Sequence, residues 1–449
     1  MDFGFIKSAL VKALEAGGVS EYEIYYSEST ESSVGALNNE INNFSSGTRA
    51  GVCLRVLMDG KMGYASTELF EQSELCSLVD RAVENALATE KEDTVGIFAG
   101  SESYEAKTTP EYIPCDVATL RADTQRICRT LFSEDERVTE GTSSQCVTAG
   151  STVRIVNSKG VDLANTVGVN VMFAEAVVKH DGESQAAYST KEYKGDKDEL
   201  IAEMTKKTVN EALEKMGATV VPTGKYNLVF DGKPMRSILS VFSSSFSAKR
   251  VLDGMSALKD KLSEQIASEL ITITDDPQRE GNSVGTTFDA EGVATHRRTV
   301  VDKGVLVTYL HNRETAMKMG TESTANASKA GYSGSIGISP NSFAIECGEY
   351  SLEELFAKAE DGIYITEVKG LHAGANPVTG DFSLESAGFV IRGGKKCEAV
   401  KSFTIAGNFF KMLKDVSAVG NQLERGVSMS ITGFASPALL IPDMSVAGK

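Results

Sequence analysis

The sequence predicts an α+β fold, with a mixed α/β N-terminal region over 1–220 and a β-rich C-terminal domain over 221–449, and three observations carry that reading. Amphipathic helical periodicity is concentrated before Gly217. Val221-Pro222-Thr223-Gly224 then resets the chain with turn-forming residues. From Ile271 to Pro442 short strand-like runs separated by turn signals dominate. At about 100–200 residues per domain, 449 residues suit two or three such units.

Phe3, Ile6, Leu10 and Leu14 share one face of an expected first helix, and Gly17-Gly18 stops it. An extended segment follows over Tyr22 to Ser27. Val52 to Ala65 reads as a hairpin, because Asp59-Gly60 tolerates the positive φ angles of a tight primed turn. Glu71 to Thr89 returns to helix with Leu75, Leu78, Ala82 and Ala86 aligned. Residues 96–115 carry Gly, Ser, Thr and two prolines, and suit a linker or a long surface loop that need not be a domain boundary. A helix is expected over Val117 to Phe132, then strands that turn at Ser158-Lys159-Gly160 and Asp181-Gly182. The charged helix Lys197 to Met216 buries Leu200, Ile201, Met204 and Leu213. Beyond the reset come a strand (Tyr226 to Phe230), a helical stretch from Met235 to Leu252, and helices at Ser351 to Lys358 and Phe409 to Leu413 among the strands.

The chain carries 45 basic and 62 acidic residues, a net charge of −17, which disfavours direct contact with nucleic-acid phosphates. Hydrophobic residues at 41% and charged residues at 24% match an ordinary soluble globular protein. Met1-Asp2-Phe3-Gly4-Phe5 has no basic leader, and stretches such as Val167 to Val178 are too short and polar to span a bilayer, so a cytoplasmic protein without membrane contact is expected. Seven cysteines form no C-x-x-C pair and suit reduced thiols rather than a disulfide framework.

Catalytic signatures are scarce. The histidines are His180, His296, His311 and His372, too scattered for H-E-x-x-H or H-E-x-x-x-H. His311 with Glu314 is the nearest local substitute, and a structural histidine is the plainer reading. Ser243-Ser244-Ser245 lacks a G-x-S-x-G elbow and reads as a small-residue helix face. Asp275, Asp276, Asp289 and Glu291 could supply oxygens to a cation, or simply form solvated turns. No glycine pattern for a phosphate cradle occurs. The turns of the last third are richer: Asn376, Thr379, Asp381 and Ser383 within Gly374 to Ser383, with Asn408 at the end of Thr404 to Asn408, suit either a peptide-binding groove or a structural loop.

These turns belong to an ordered set of motifs. They are RVLMDGKMGYAS at Arg55 to Ser66, the segment Leu262 to Pro277 ending in DDP, FDAEG at Phe288 to Gly292, GVLVTYL at Gly304 to Leu310, GANPVTGDFS at Gly374 to Ser383, TIAGN at Thr404 to Asn408, AVGN at Ala418 to Asn421, SPALL at Ser436 to Leu440, and Ala447-Gly448. In this order, over nearly the whole chain, they resemble the TldD/PmbA family, and its PmbA (TldE) branch more closely. The resemblance implies the fold predicted above, with C-terminal sheets enclosing a cavity for extended, unfolded peptides. It implies a cytoplasmic zinc metallopeptidase complex in which a TldD-like catalytic subunit holds zinc through an H-E-x-x-x-H helix and a later cysteine. The partner expected for this chain is that subunit, in a heterodimer, with self-association as a homodimer also open.

Both zinc elements are missing here. Where the zinc helix belongs, the chain reads Leu239-Ser240-Val241-Phe242-Ser243-Ser244-Ser245-Phe246, and Gly426 to Ser430 has no cysteine. No catalytic or metal-binding residue and no cofactor is therefore expected in this chain, with zinc expected in the partner. Two other functions stay open: a stand-alone hydrolase using a thiol or acidic site, and an interaction protein acting as a modulator of DNA gyrase.

Overall fold

A computed structural model describes residues 2–195, 197–427 and 432–449. The N-terminal region is one six-stranded antiparallel sheet in the order β3-β2-β1-β4-β5-β6, formed by β1 (Tyr22–Leu37), β2 (Glu40–Met58), β3 (Lys61–Thr67), β4 (Ser143–Asn157), β5 (Asp162–His180) and β6 (Glu183–Glu192). Helices α1 (Phe3–Ala16) and α2 (Gln72–Ala88) bury Ile6, Leu10, Leu14, Leu75, Leu78 and Ala82 against Ile24, Tyr26, Val52, Leu54 and Val56. Helices α3 (Val117–Glu134) and α4 (Asp198–Glu214) pack over β4 to β6 through Leu120, Ile127, Ile201, Met204 and Met172. Asp59 and Gly60 do turn the β2–β3 hairpin at φ 49° and 76°. Residues 96–115 hold no regular element, yet they are pinned: the Tyr104 hydroxyl donates to the Gly292 carbonyl at 2.8 Å, and Tyr112 lies across Gly150 and Gly168.

The C-terminal region is rich in strands. Strands Lys395–Asn408, Asp381–Arg392, Gly362–Lys369, β7 (Gly224–Phe230) and Leu439–Ala447 are neighbours in that order, and the first also pairs with the last, from Thr404↔Ala447 to Ala406↔Ser445, so the sheet closes on itself. A second sheet contains Arg298–Asp302, Ile273–Asp275, Ser342–Ile345 and Gly433–Ser436. Between them runs α5 (Gly232–Phe242), capped by the Asp231 side chain and burying Met235, Ile238, Leu239 and Phe242.

Two details depart from the sequence reading. The helical stretch expected over Met235 to Leu252 is broken: α5 stops at Phe242, Ser243–Phe246 tighten into a 3₁₀ turn, and a short helix resumes at Ala248. Ser243 and Ser244 donate to the carbonyls three residues back, the competition that unsettles serine-rich helices. A helix over Arg313–Met319 was also not expected; Asn312 and Thr315 form its capping box, and Gly320 ends it at φ 65°.

Candidate functional site

The place where the resemblance puts a zinc helix is filled with hydrocarbon. Phe242 stacks on Phe409 with centroids 4.6 Å apart, and Phe246 tilts against Phe343 at 5.3 Å. The Ser243 hydroxyl donates to the Ser240 carbonyl at 2.8 Å and Ser245 to the Pro377 carbonyl at 2.6 Å, so neither faces a base. Zinc does not fit this donor set, which lacks imidazole, thiolate and carboxylate. Gly426 sits against the Arg236 guanidinium, while Ser428, Met429 and Ser430 lie outside the described residues.

The other chemical candidates separate. Asp275 is buried and accepts from the Asn341 backbone at 2.8 Å and the Asn326 amide at 2.6 Å, knitting loops to the second sheet. Asp289 accepts from the backbone N–H groups of Glu291, Val293 and Ala327, and burial, then the neighbouring Glu291, pushes its carboxyl up to about 8. Among the described residues no three His, Cys, Asp or Glu side chains cluster as a metal site. His311 is buried with Nδ1 3.3 Å from the Thr315 hydroxyl, whereas Glu314 pairs with Lys318 at 2.7 Å and Lys91 at 3.3 Å, so the two do not converge.

Burial, followed by the charge of Arg298, lowers His311 to about 4, below the ordinary histidine value of about 6.5. A neutral histidine stabilises the fold fully above the unfolded value, and that contribution is lost as pH falls through the folded one. The urea midpoint of the wild type is therefore expected to drop between about pH 6.5 and 4. His311→Gln should flatten that part of the profile, and an unchanged slope would show that another group governs it.

Four of the five turn residues, Asn376, Thr379, Asp381 and Asn408, are linked by hydrogen bonds. The Asn376 side chain accepts from the Val378 backbone at 3.0 Å, and the Thr379 hydroxyl accepts from the Asp381 backbone at 3.3 Å. Asn408 donates to the Thr379 carbonyl at 2.9 Å and the Asp381 carboxylate at 3.0 Å, while its own oxygen caps the helix that follows. Ser383 is exposed on the adjoining strand, opposite Ala406. Gly380 at φ 86° is required where a Cβ would stand 2.9 Å from the Asn408 amide.

A roomier opening lies elsewhere. Side chains alternate across a strand, so while Val52, Leu54 and Val56 face the helices, Cys53 and Arg55 face the C-terminal region. There they line a cavity of about 580 Å³ with Tyr64, Glu291, Asn312 and the 89–96 loop. Arg55 lies opposite Glu23 on β1, with Nε 3.1 Å from Oε1. That distance makes an ion pair, but the N–H is not aligned for a hydrogen bond, and among the described residues Glu23 Oε2 has no hydrogen-bond partner either. Burial works against the charge of Arg55; Glu23 and the other anionic neighbours outweigh it and raise the pKa. Glu291 accepts from the Arg313 backbone at 2.8 Å, and burial raises its pKa. Sequence reading passed over Glu23 and Asn312 and took Arg55 only as part of a motif. The available signal was a Glu and an Arg on the wrong phase of two apolar strands.

Comparison with known proteins covers the whole of this architecture. The PmbA/TldA metallopeptidase domain 1 matches residues 22–86, the central domain 114–216 and the C-terminal domain 223–448. A metalloprotease of Methanothermobacter thermautotrophicus is 28% identical, over 89% of this chain and 87% of its own. Metalloprotease PmbA of Escherichia coli O157:H7 is 24% identical, over 99% and 96%. A Thermotoga maritima crystal structure, described as a candidate modulator of a DNA gyrase, superposes with a TM-score of 0.89 at 29% identity, covering 99% of this chain and all of that one (100%). TldE from Thermococcus kodakarensis shares the fold, with a TM-score of 0.88 at 23% identity over 98% of this chain and 100% of that one.

Proposed function

The chain belongs to the PmbA/TldD metallopeptidase family, and from that premise we propose that it is the zinc-free subunit of a peptidase assembly, pairing with a TldD-like subunit that supplies the metal. The observation carrying this reading is the filled zinc position: Phe242 and Phe246 are wholly buried there, and the intervening serine hydroxyls are spent on backbone carbonyls. Converting it would require two histidines and a cysteine that residues 239–246 and 426–430 lack. The substrate in this reading is an extended or unfolded peptide, held between the subunits and cleaved by the partner's metal. The turn around Asn376, Thr379, Asp381, Ser383 and Asn408 stands beside Ser245 through its contact with Pro377, which makes it the part of this chain proposed to border the peptide.

The test is co-expression with a TldD-like subunit, followed by metal analysis and hydrolysis of an unfolded polypeptide. The lone chain is expected to carry no stoichiometric zinc and to leave the polypeptide intact. The pair is expected to co-purify, to hold zinc, and to lose its hydrolysis to background on chelation. Hydrolysis by the lone chain in the presence of chelator would refute the reading, as would failure of the two to associate.

A further inference from the structure

We propose that the cavity between the N-terminal sheet and the C-terminal region is a carboxylate-binding site, in which Arg55 grips both carboxylate oxygens and Asn312 adds a third donor. None of its lining residues comes from Leu239–Phe246 or from Gly374–Ser383, so it is separate from the filled zinc position.

Donors left over inside the cavity point to this ligand. Arg55 is 4% exposed and pairs with Glu23 through Nε, and among the described residues nothing accepts a hydrogen bond from its two terminal nitrogens. Asn312, also 4% exposed, uses its side-chain oxygen to accept from the Thr315 backbone and hydroxyl, both at 2.9 Å. Its amide nitrogen has no acceptor among the described residues. Both side chains line the cavity, so these donors open onto it, and a planar guanidinium fork is matched by two coplanar oxygens.

Three of the four acidic residues lining the cavity are already engaged, and the fourth, Glu92, is exposed. Glu291 accepts from the Arg313 backbone, Glu314 pairs with Lys91, and Asp93 accepts from the backbone N–H groups of Val95 and Gly96. Their presence disfavours a dianion, so a monoanionic carboxylate suits the site better than phosphate. A volume of about 580 Å³ falls in the range of small-molecule pockets and admits a few peptide residues. Such a carboxylate has two sources, the C-terminus of a peptide or a small free acid.

Calorimetry on the full chain, without any partner, tests this with three probes: N-acetyl-trialanine, its C-terminal amide, and the monocarboxylate butyrate. At least one acid is expected to bind, with the amide at least about tenfold weaker, the scale of one charge-assisted bidentate contact. Tighter binding of the tripeptide acid assigns a peptide terminus, and tighter binding of butyrate a small free acid. Arg55→Lys keeps a cation beside Glu23 but loses the fork, and Asn312→Asp keeps the helix cap but puts an oxyanion where the donor was. Each should weaken the acid by at least about tenfold. The idea is overturned if neither acid binds the wild type, if amide and acid bind alike, or if both variants bind like the wild type. The acid-against-amide comparison needs no variant, so a misfolded substitution leaves it intact. Because the partner is absent, failure here leaves the assembly reading standing, and failure of the assembly leaves this site standing.

Discussion

Replacing Glu23 with alanine is expected to cost about 3–5 kcal/mol of stability, because it strands the buried Arg55 guanidinium without its counter-charge. Both side chains are nearly inaccessible, at 1% for Glu23 and 4% for Arg55, so the face of Arg55 that the carboxylate covers lies away from bulk water. The large effect should not be mistaken for a large net gain from the pair, since desolvating two ions offsets most of their attraction. The double substitution Glu23→Ala with Arg55→Met should therefore lose less than Glu23→Ala alone, even though it removes more of the native structure. Urea midpoints at constant m-value measure both. Additive losses, or a loss below about 1 kcal/mol for the single change, would show that the pair is effectively solvated.

Gly63→Ala is expected to be the next most damaging change, at about 1–3 kcal/mol or more. A Cβ there would stand 2.0 Å from the Ala82 carbonyl oxygen, 2.5 Å from the Ala86 nitrogen and 2.8 Å from the Ala86 Cβ. Most of these are backbone atoms of α2, which cannot swing aside as a side-chain tip can. The helix would have to lift from β3, opening the layer in which Ala82 and Ala86 are wholly buried. Gly47→Ala is the matched control on the neighbouring strand, with nothing within 4 Å, and should lie within about 0.5 kcal/mol of the wild type. Equal effects of the two would show that contact with α2 does not decide the Gly63 loss.

Periodicity and punctuation made the four N-terminal helices and the β2–β3 hairpin legible, since each buries a stripe set by its own spacing. The far half of β1 was not legible: Ser27 to Ser33 is polar throughout and holds its strand by pairing with β2 and β4, a partner effect that no local pattern carries. The break after Phe242 was hidden for a related reason, because its serines are small enough for a helix and only their hydroxyl contacts decide otherwise. Motif order pointed to the Gly374–Ser383 turn and to the missing zinc ligands. The Glu23–Arg55 pairing depends on antiparallel register, and Asn312 reaches the same cavity from a different region, so neither is a matter of sequence spacing.

The self-closing C-terminal sheet has a consequence for synthesis. Its last strand, Leu439–Ala447, pairs on one side with β7, with Val446 beside Gly224, and on the other with Thr404 to Ala406. Until those residues leave the ribosome, β7 has no neighbour on that side and the ring stands open, so a strand made early waits for one made late. Such long-range closure is slow and leaves edges unprotected meanwhile. The N-terminal sheet, complete by Glu192, can form first and offer the later strands a finished surface to assemble against.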